Sequence, residues 1–204
     1  MATRLFLLCG LVAPVLFIAV DLVSGSSWRG YDFASRSIND LSAVGSPVRG
    51  SAAPLFALVN VLTIALGVGL WRVAAGRLSL EIVAGVVIAN GVLALAAALF
   101  PNQAGTSPRF LSPGVLLAAA SVVCIVLTIG AGAVAFGGWV RVYSIATLGA
   151  YAVLTIVGYA TQMAPRIGFQ ERLMAYTWMV WLGLVAAVLL AMPASAASAP
   201  AAEA

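Results

Sequence analysis

Long apolar runs separated by short polar stretches set the pattern of this chain. Six runs reach the about 20 mostly apolar residues that a helix needs to cross bilayer hydrocarbon. They are Leu5–Val23, Ala53–Trp71, Leu78–Phe100, Pro113–Phe136, Val142–Met163 and Leu173–Met192. Inside a membrane no water can satisfy backbone N–H and C=O groups, so such runs must be helical. The pattern predicts an all-α fold. It is an integral membrane bundle of six transmembrane helices over residues 1–192, followed by an Ala/Pro-rich tail, 193–204, read as disordered. The first run carries Asp21 near its end and has no small-x-small cleavage site, so it is read as a retained span rather than a signal peptide. No internal repeat is evident.

The connections alternate. Arg72–Arg77 and Gly137–Arg141 read as tight turns, whereas Ser24–Ala52, Pro101–Ser112 and Ala164–Arg172 are longer and polar. Successive spans run antiparallel, so these odd-numbered loops share one side of the membrane. Loop one is the most informative. Ser37 with Asp40 three residues on fits a capping box, and Ile38, Leu41 and Val44 recur at helical spacing before Gly45 and Pro47. This predicts a short amphipathic interfacial helix lying on the membrane, apolar face down. It reads either as a connector or as a lid over a pocket.

Composition sharpens the picture. Of 204 residues, 63% are hydrophobic and only 8% charged, and mean hydropathy is +1.12. A soluble domain carries about a quarter charged residues, so lipid is the expected partner. The net charge of +4 comes from arginine alone, without lysine, which suits a GC-rich bacterial genome and its plasma membrane. No basic run could track a phosphate backbone, so nucleic acid is discounted. The sequence specifies no protein partner or homo-oligomer. Histidine is absent, and Cys9 and Cys124 lie in apolar runs, so no metal and no cofactor is expected. By raw count more arginines flank the long loops, which by the positive-inside rule would put those loops in the cytoplasm. These arginines sit among Asp32, Asp40 and Glu171 and are read as held in folded structure, which leaves both termini assigned to the cytoplasm.

The segment Ser35-Arg-Ser-Ile-Asn-Asp-Leu-Ser-Ala-Val-Gly-Ser-Pro47 resembles the loop-one pattern Ser-x-Ser-Ile-Ser-Glu-Leu-x-Ala-x-Gly-Ser-Pro of the domain of unknown function 998 family. Phe100-Pro101, which closes the third span, and Gly168-Phe-Gln-Glu-Arg172, which opens the sixth, agree with it. The resemblance covers essentially the whole chain. It implies a multi-pass bacterial or archaeal membrane protein and supplies no activity. Many members carry a histidine before the fourth span, where this chain reads Ser107-Pro-Arg-Phe-Leu-Ser-Pro-Gly-Val115.

Ionisable groups in or beside spans are functional candidates. Asp21 is expected to pair with Arg29, Arg36 or an arginine of loop five, and Glu81 with Arg77 four residues earlier. Tyr31, Ser35, Arg36, Ser37, Asp40, Glu171 and Arg172 form, with Asp21, the candidate ligand-binding face on the long-loop side. Asp40 or Asp32 is expected to meet Arg172 or Arg166, and Glu171 to meet Arg36 or loop-one backbone. Span five carries a polar stripe, Ser144, Thr147, Tyr151, Thr155, Tyr159 and Gln162, and Asn60 and Asn90 are the other polar interior candidates. Interhelical hydrogen bonds or a cavity lining would each explain that stripe. Trp28, Trp71, Trp139 and Phe110 sit at span ends, as in an aromatic belt.

No phosphate-binding glycine loop, nucleophile elbow or His–carboxylate set is present, so no catalytic residue is assigned. The first reading is a non-enzymatic membrane protein that binds a lipid or small amphiphile or serves as an accessory subunit. The alternatives are a membrane enzyme acting on lipids through the long-loop carboxylates, and a small transporter. An even number of spans returns the chain to its starting side. Reporter fusions at residues 2 and 204 should therefore give the same compartment, and opposite compartments would remove the six-span reading.

Overall fold

The computed structural model describes residues 1–104, 112–160 and 166–192, with side chains described through residue 157 of the second stretch. The helices are α1 (Ala2–Ser27), α2 (Arg49–Ala74), α3 (Leu78–Ala97), α4 (Pro113–Ala135), α5 (Gly138–Ala160) and α6 (Ile167–Ala191). All six are long and apolar enough to cross a membrane. Each packs on its neighbours in sequence, and α6 returns to α1, so the ring of helices closes.

Most helices run past their apolar stretches. The sixth starts at Ile167 rather than Leu173, because its polar first turns find partners in loop one. The third stops at Ala97 instead of reaching Phe100. Its last turn tightens, with Leu99 N–H bonding Ala96 O at 3.1 Å and Phe100 N–H bonding Ala97 O at 3.0 Å. Pro101 follows, and its ring disfavours the α conformation at the residue before it.

Loop one departs from expectation in a useful way. The predicted interfacial helix is a five-residue 3-10 helix, Ile38–Ser42, with the Ser37 hydroxyl accepting from Asn39 N–H at 3.1 Å. Its apolar residues do not lie on lipid. Ile38 is buried, and Leu41 is fully buried in a cluster with Val20 of α1, Tyr31 and Ala52 of α2. Val44 lies beyond the 3-10 helix and is exposed; its backbone pairs with loop three, Val44 N–H to Asn102 O at 2.8 Å and Ala104 N–H to Val44 O at 3.0 Å. The segment thus caps the ends of α1 and α2.

Lipid tails are as apolar as leucine, so close backbone approach rather than water exclusion holds membrane helices together. Gly10 of α1 shows this. A Cβ there would stand 2.7 Å from both Ala186 Cβ of α6 and Leu66 Cδ1 of α2. The stacked rings of Trp178 and Trp181, with centroids 5.8 Å apart, fill the centre. Gly132 of α4 makes room for the Trp181 ring, whose Nε1–H donates to Ser144 Oγ of α5 at 2.9 Å. By contrast, Gly149 on α5 faces open space. Gly10→Val should therefore lower stability by about 1–3 kcal/mol through overpacking, seen as a lower Tm in detergent. Gly149→Ala should leave the Tm unchanged, and equal effects would contradict this packing.

Candidate functional site

The end of α1 and the start of α6 meet under loop one. Asp21 of α1 is fully buried and Arg172 of α6 nearly so. Arg172 Nε donates to Asp21 Oδ2 and Nη2 to Asp21 Oδ1, both at 2.9 Å, a two-point ion pair. Such paired, parallel bonds are the strongest geometry available to a guanidinium. The remaining donors are taken as well. Nη2 also reaches Tyr31 Oη at 2.6 Å, and Nη1 reaches Phe33 O, Arg36 O and Gly168 O at 2.8, 2.9 and 3.0 Å. The plane of the guanidinium lies near the Phe33 ring, 4.9 Å from its centroid. The Tyr176 hydroxyl donates to Asp21 Oδ2.

The neighbouring residues extend the lock. Tyr31 Oη donates to Ser37 O at 2.8 Å. Burial pushes the Tyr31 phenol up to about 12, against the opposing pull of Arg172. Glu171 accepts from Ile38 N–H at 2.9 Å and from Asn39 Nδ2 at 2.8 Å, so both of its oxygens hold the 3-10 helix. Gly168 packs directly on the Arg36 carbonyl, where a Cβ has no room, and Phe169 N–H bonds Ala34 O at 3.0 Å.

The other candidates are placed as follows. Arg36 lies with its guanidinium 4.7 Å over the Trp28 ring and reaches Arg172 only through its carbonyl. Ser35 donates to Asp32 Oδ2 at 2.6 Å, and that bond, with Ala34 N–H, holds the Asp32 carboxyl below the usual carboxylate range. The expected Asp40 or Asp32 pairing with Arg172 is therefore corrected. Asp21 takes the guanidinium because it lies deeper, where the charge has the most need of a partner. The expected Arg77–Glu81 pair is corrected too. Arg77 adopts an extended backbone before α3 and turns back onto α2, with Nε to Ala74 O at 3.4 Å and Nη2 to Val73 O at 3.5 Å.

Among the interior candidates, Asn90 Nδ2 ties α3 to α4 through Ser121 O and Oγ, at 2.9 and 2.8 Å. Tyr151 donates to Met174 O of α6 at 2.5 Å, and Thr155 to Tyr151 O at 2.8 Å. Asn60 is half-buried on α2. The Tyr159 side chain, Gln162, Arg109, Phe110 and the tail 193–204 lie outside the described residues. Sequence reasoning missed Tyr176, Phe33 and the steric role of Gly168. Gly168, Arg172 and Tyr176 recur every four residues on one face of α6, a signal that placing the helix start at Leu173 concealed.

Six lipid-length apolar helices closed into a ring, with a polar lock at one end, define a multi-pass helical membrane protein. The chain belongs to the family described as protein of unknown function DUF998, whose model matches residues 11–188. Comparison with curated proteins and with solved structures gave no match.

Removing one partner of a buried pair leaves an uncompensated charge, so Arg172→Ala and Asp21→Ala should each cost about 3–5 kcal/mol. The double variant should lose much less than the sum, read as Tm in detergent; strict additivity would refute the lock. Tyr31 adds a pH signature. The unfolded phenol ionises near pH 10, while the folded one keeps its proton to about pH 12. Its contribution is thus whole below pH 10 and declines as pH rises towards 12. Tyr31→Phe should flatten that alkaline loss of stability, and an unchanged slope would remove Tyr31 from it.

Proposed function

We propose that this chain is a non-catalytic membrane protein that receives the acyl tail of a membrane lipid or small amphiphile between α4, α5 and α6. The observation that carries this reading is a cleft of about 290 Å³ lined by Val122, Val126, Leu148, Tyr151, Thr155 and Met174. Ligand pockets run from about 300 to 1,000 Å³, so this volume suits one tail segment rather than a whole lipid. Val122, Val126 and Ile156 on its rim are exposed on the apolar flank, which supports entry sideways from the bilayer. Tyr151 and Thr155 already donate to backbone carbonyls, so the surface offered is chiefly apolar.

The long-loop face reads as a cap over this bundle. Both oxygens of Asp21 and of Glu171 are engaged internally, which supports binding over acid–base chemistry on lipids. The arginine-only basic composition supports a bacterial plasma membrane as its setting, and the engagement of Arg172 and Arg36 within folded structure supports cytoplasmic termini despite the larger arginine count on the long-loop side.

A phospholipid with a photoreactive tail, incorporated with the protein in nanodiscs, tests the reading. Labelling should concentrate on residues 122–126 and 151–156, and Ala152→Phe should reduce it several-fold at unchanged Tm. Uniform labelling of all six helices, indifferent to Ala152→Phe, would sink the proposal.

A further inference from the structure

A second cleft lies at the opposite end of the bundle, where α2 ends and α3 begins. It is a shallow, open hollow of about 350 Å³ lined by Trp71, Leu78, Glu81, Ile82, Gly85 and Val86. Glu81 is its ionisable group, half-buried in the first turns of α3. Among the described residues Glu81 forms no ion pair; the pair found there is Asp21–Arg172. The two arginines nearest in sequence are directed elsewhere. Arg77 bonds the carbonyls that end α2, and Arg72 lies 4.7 Å over the Phe6 ring of α1. A carboxylate facing an apolar, lipid-side cleft is costly unless a cation joins it.

The rest of the lining suits such a cation. The Trp71 ring is 52% exposed, and indole faces attract ammonium groups more strongly than other aromatic rings do. The ring lies against α3 at Gly85, where a Cβ would stand at ordinary contact distance, 3.6 Å from Trp71 Cζ3. From Glu81 to Val86 the helix descends roughly 7.5 Å at about 1.5 Å per residue. Charge therefore sits at the helix end, at headgroup depth, and purely apolar wall lies below it.

We propose that this cleft binds a phospholipid whose headgroup carries a primary ammonium. The ammonium meets the Glu81 carboxylate and the Trp71 face, and the first methylenes of one tail run along Ile82, Gly85 and Val86. Arg72 and Arg77 give this end a basic excess that suits the phosphate of the same headgroup. Charge complementarity selects this occupant, because a lipid with a purely anionic headgroup sets no cation against Glu81. The site is separate from the cleft between α4, α5 and α6, and stands or falls independently of it.

Native mass spectrometry of the full chain in detergent, titrated with phosphatidylethanolamine or phosphatidylglycerol of the same tails, tests this. The wild type should hold the ethanolamine lipid at least tenfold more tightly. Glu81→Gln should abolish that preference, Trp71→Leu should weaken binding, and Gly85→Leu should block the tail without touching the carboxylate. Thermal unfolding in detergent verifies that each variant is folded, and the wild-type preference needs no variant at all. Equal binding of the two lipids by the wild type, or an undiminished preference in folded Glu81→Gln, would overturn the site. Phosphoethanolamine competing as well as the intact lipid would overturn the lipid as its occupant.

Discussion

A guanidinium can be kept out of water inside a membrane protein only where each of its N–H groups finds an acceptor, and the long-loop end is organised by that demand on Arg172. Burial of either charge alone would cost several kcal/mol, and the attraction inside a low-dielectric interior offsets this only when geometry is good and the spare donors are satisfied. Here α1 supplies the Asp21 carboxylate, loop one supplies Tyr31 Oη and the carbonyls of Phe33 and Arg36, and α6 supplies Gly168 O. One side chain thereby fixes the rotation of α6 against α1 and the path of the loop between α1 and α2. Glu171, one residue earlier, grips the 3-10 helix from the same turn. Loop one becomes a cap in which Ile38 and Leu41 face protein.

The same economy explains the polar stripe of α5. Its described hydroxyls are bonded to protein. Ser144 accepts from Trp181, Tyr151 donates to Met174 O and Gln170 Nε2 donates to Leu154 O, so hydrogen bonds at three levels join α5 to α6. Along this flank α5 stands less closely against its neighbours than α1 and α2 do against each other, and a lateral cleft remains beside Leu148, Ala152 and Ile156. At the other end the tight α2–α3 turn brings Trp71 beside Glu81. Both clefts open where helix packing gives way to lipid, and each has a chemistry of its own, one apolar and one anionic.

How far these features were legible depends on the kind of signal each one leaves. Asp21, Glu171 and Arg172 stand out because a charge in an apolar run is rare and must be explained. The sequence narrows their partners only to sets, Arg29, Arg36 or an arginine of loop five for Asp21 and Arg36 or loop-one backbone for Glu171; four spans separate Asp21 from Arg172, so the choice is made only once the ring closes. Tyr176 and Gly168 were hidden by a helix boundary taken from hydropathy alone. The spacing of Arg77 and Glu81 is right for a pair along a helix, but Arg77 precedes the first helical residue of α3, where the backbone points its side chain away. The apolar positions of loop one are expected from their spacing to lie on the membrane; instead Ile38 and Leu41 are buried, Leu41 against Val20 and Ala52, and Val44 is exposed, a difference that required the helix ends.

By itself, the sequence determined that the chain is helical, lives in a membrane and crosses it six times, and its loop-one motif pointed to the family that matches residues 11–188. Twenty apolar residues in hydrocarbon admit one backbone solution, so that information is local and survives without knowledge of neighbours. Only the tertiary structure decided which helix faces meet, where the clefts open, and that Asp21 rather than Asp40 or Asp32 receives Arg172. The physical reason is that these spans are apolar around nearly their whole circumference. Outside the stripe of α5 no polar face marks inside from outside, so helix rotation is set by close contacts such as Gly10 on Leu66 and Gly168 on Arg36, and by the few hydrogen bonds those rotations allow.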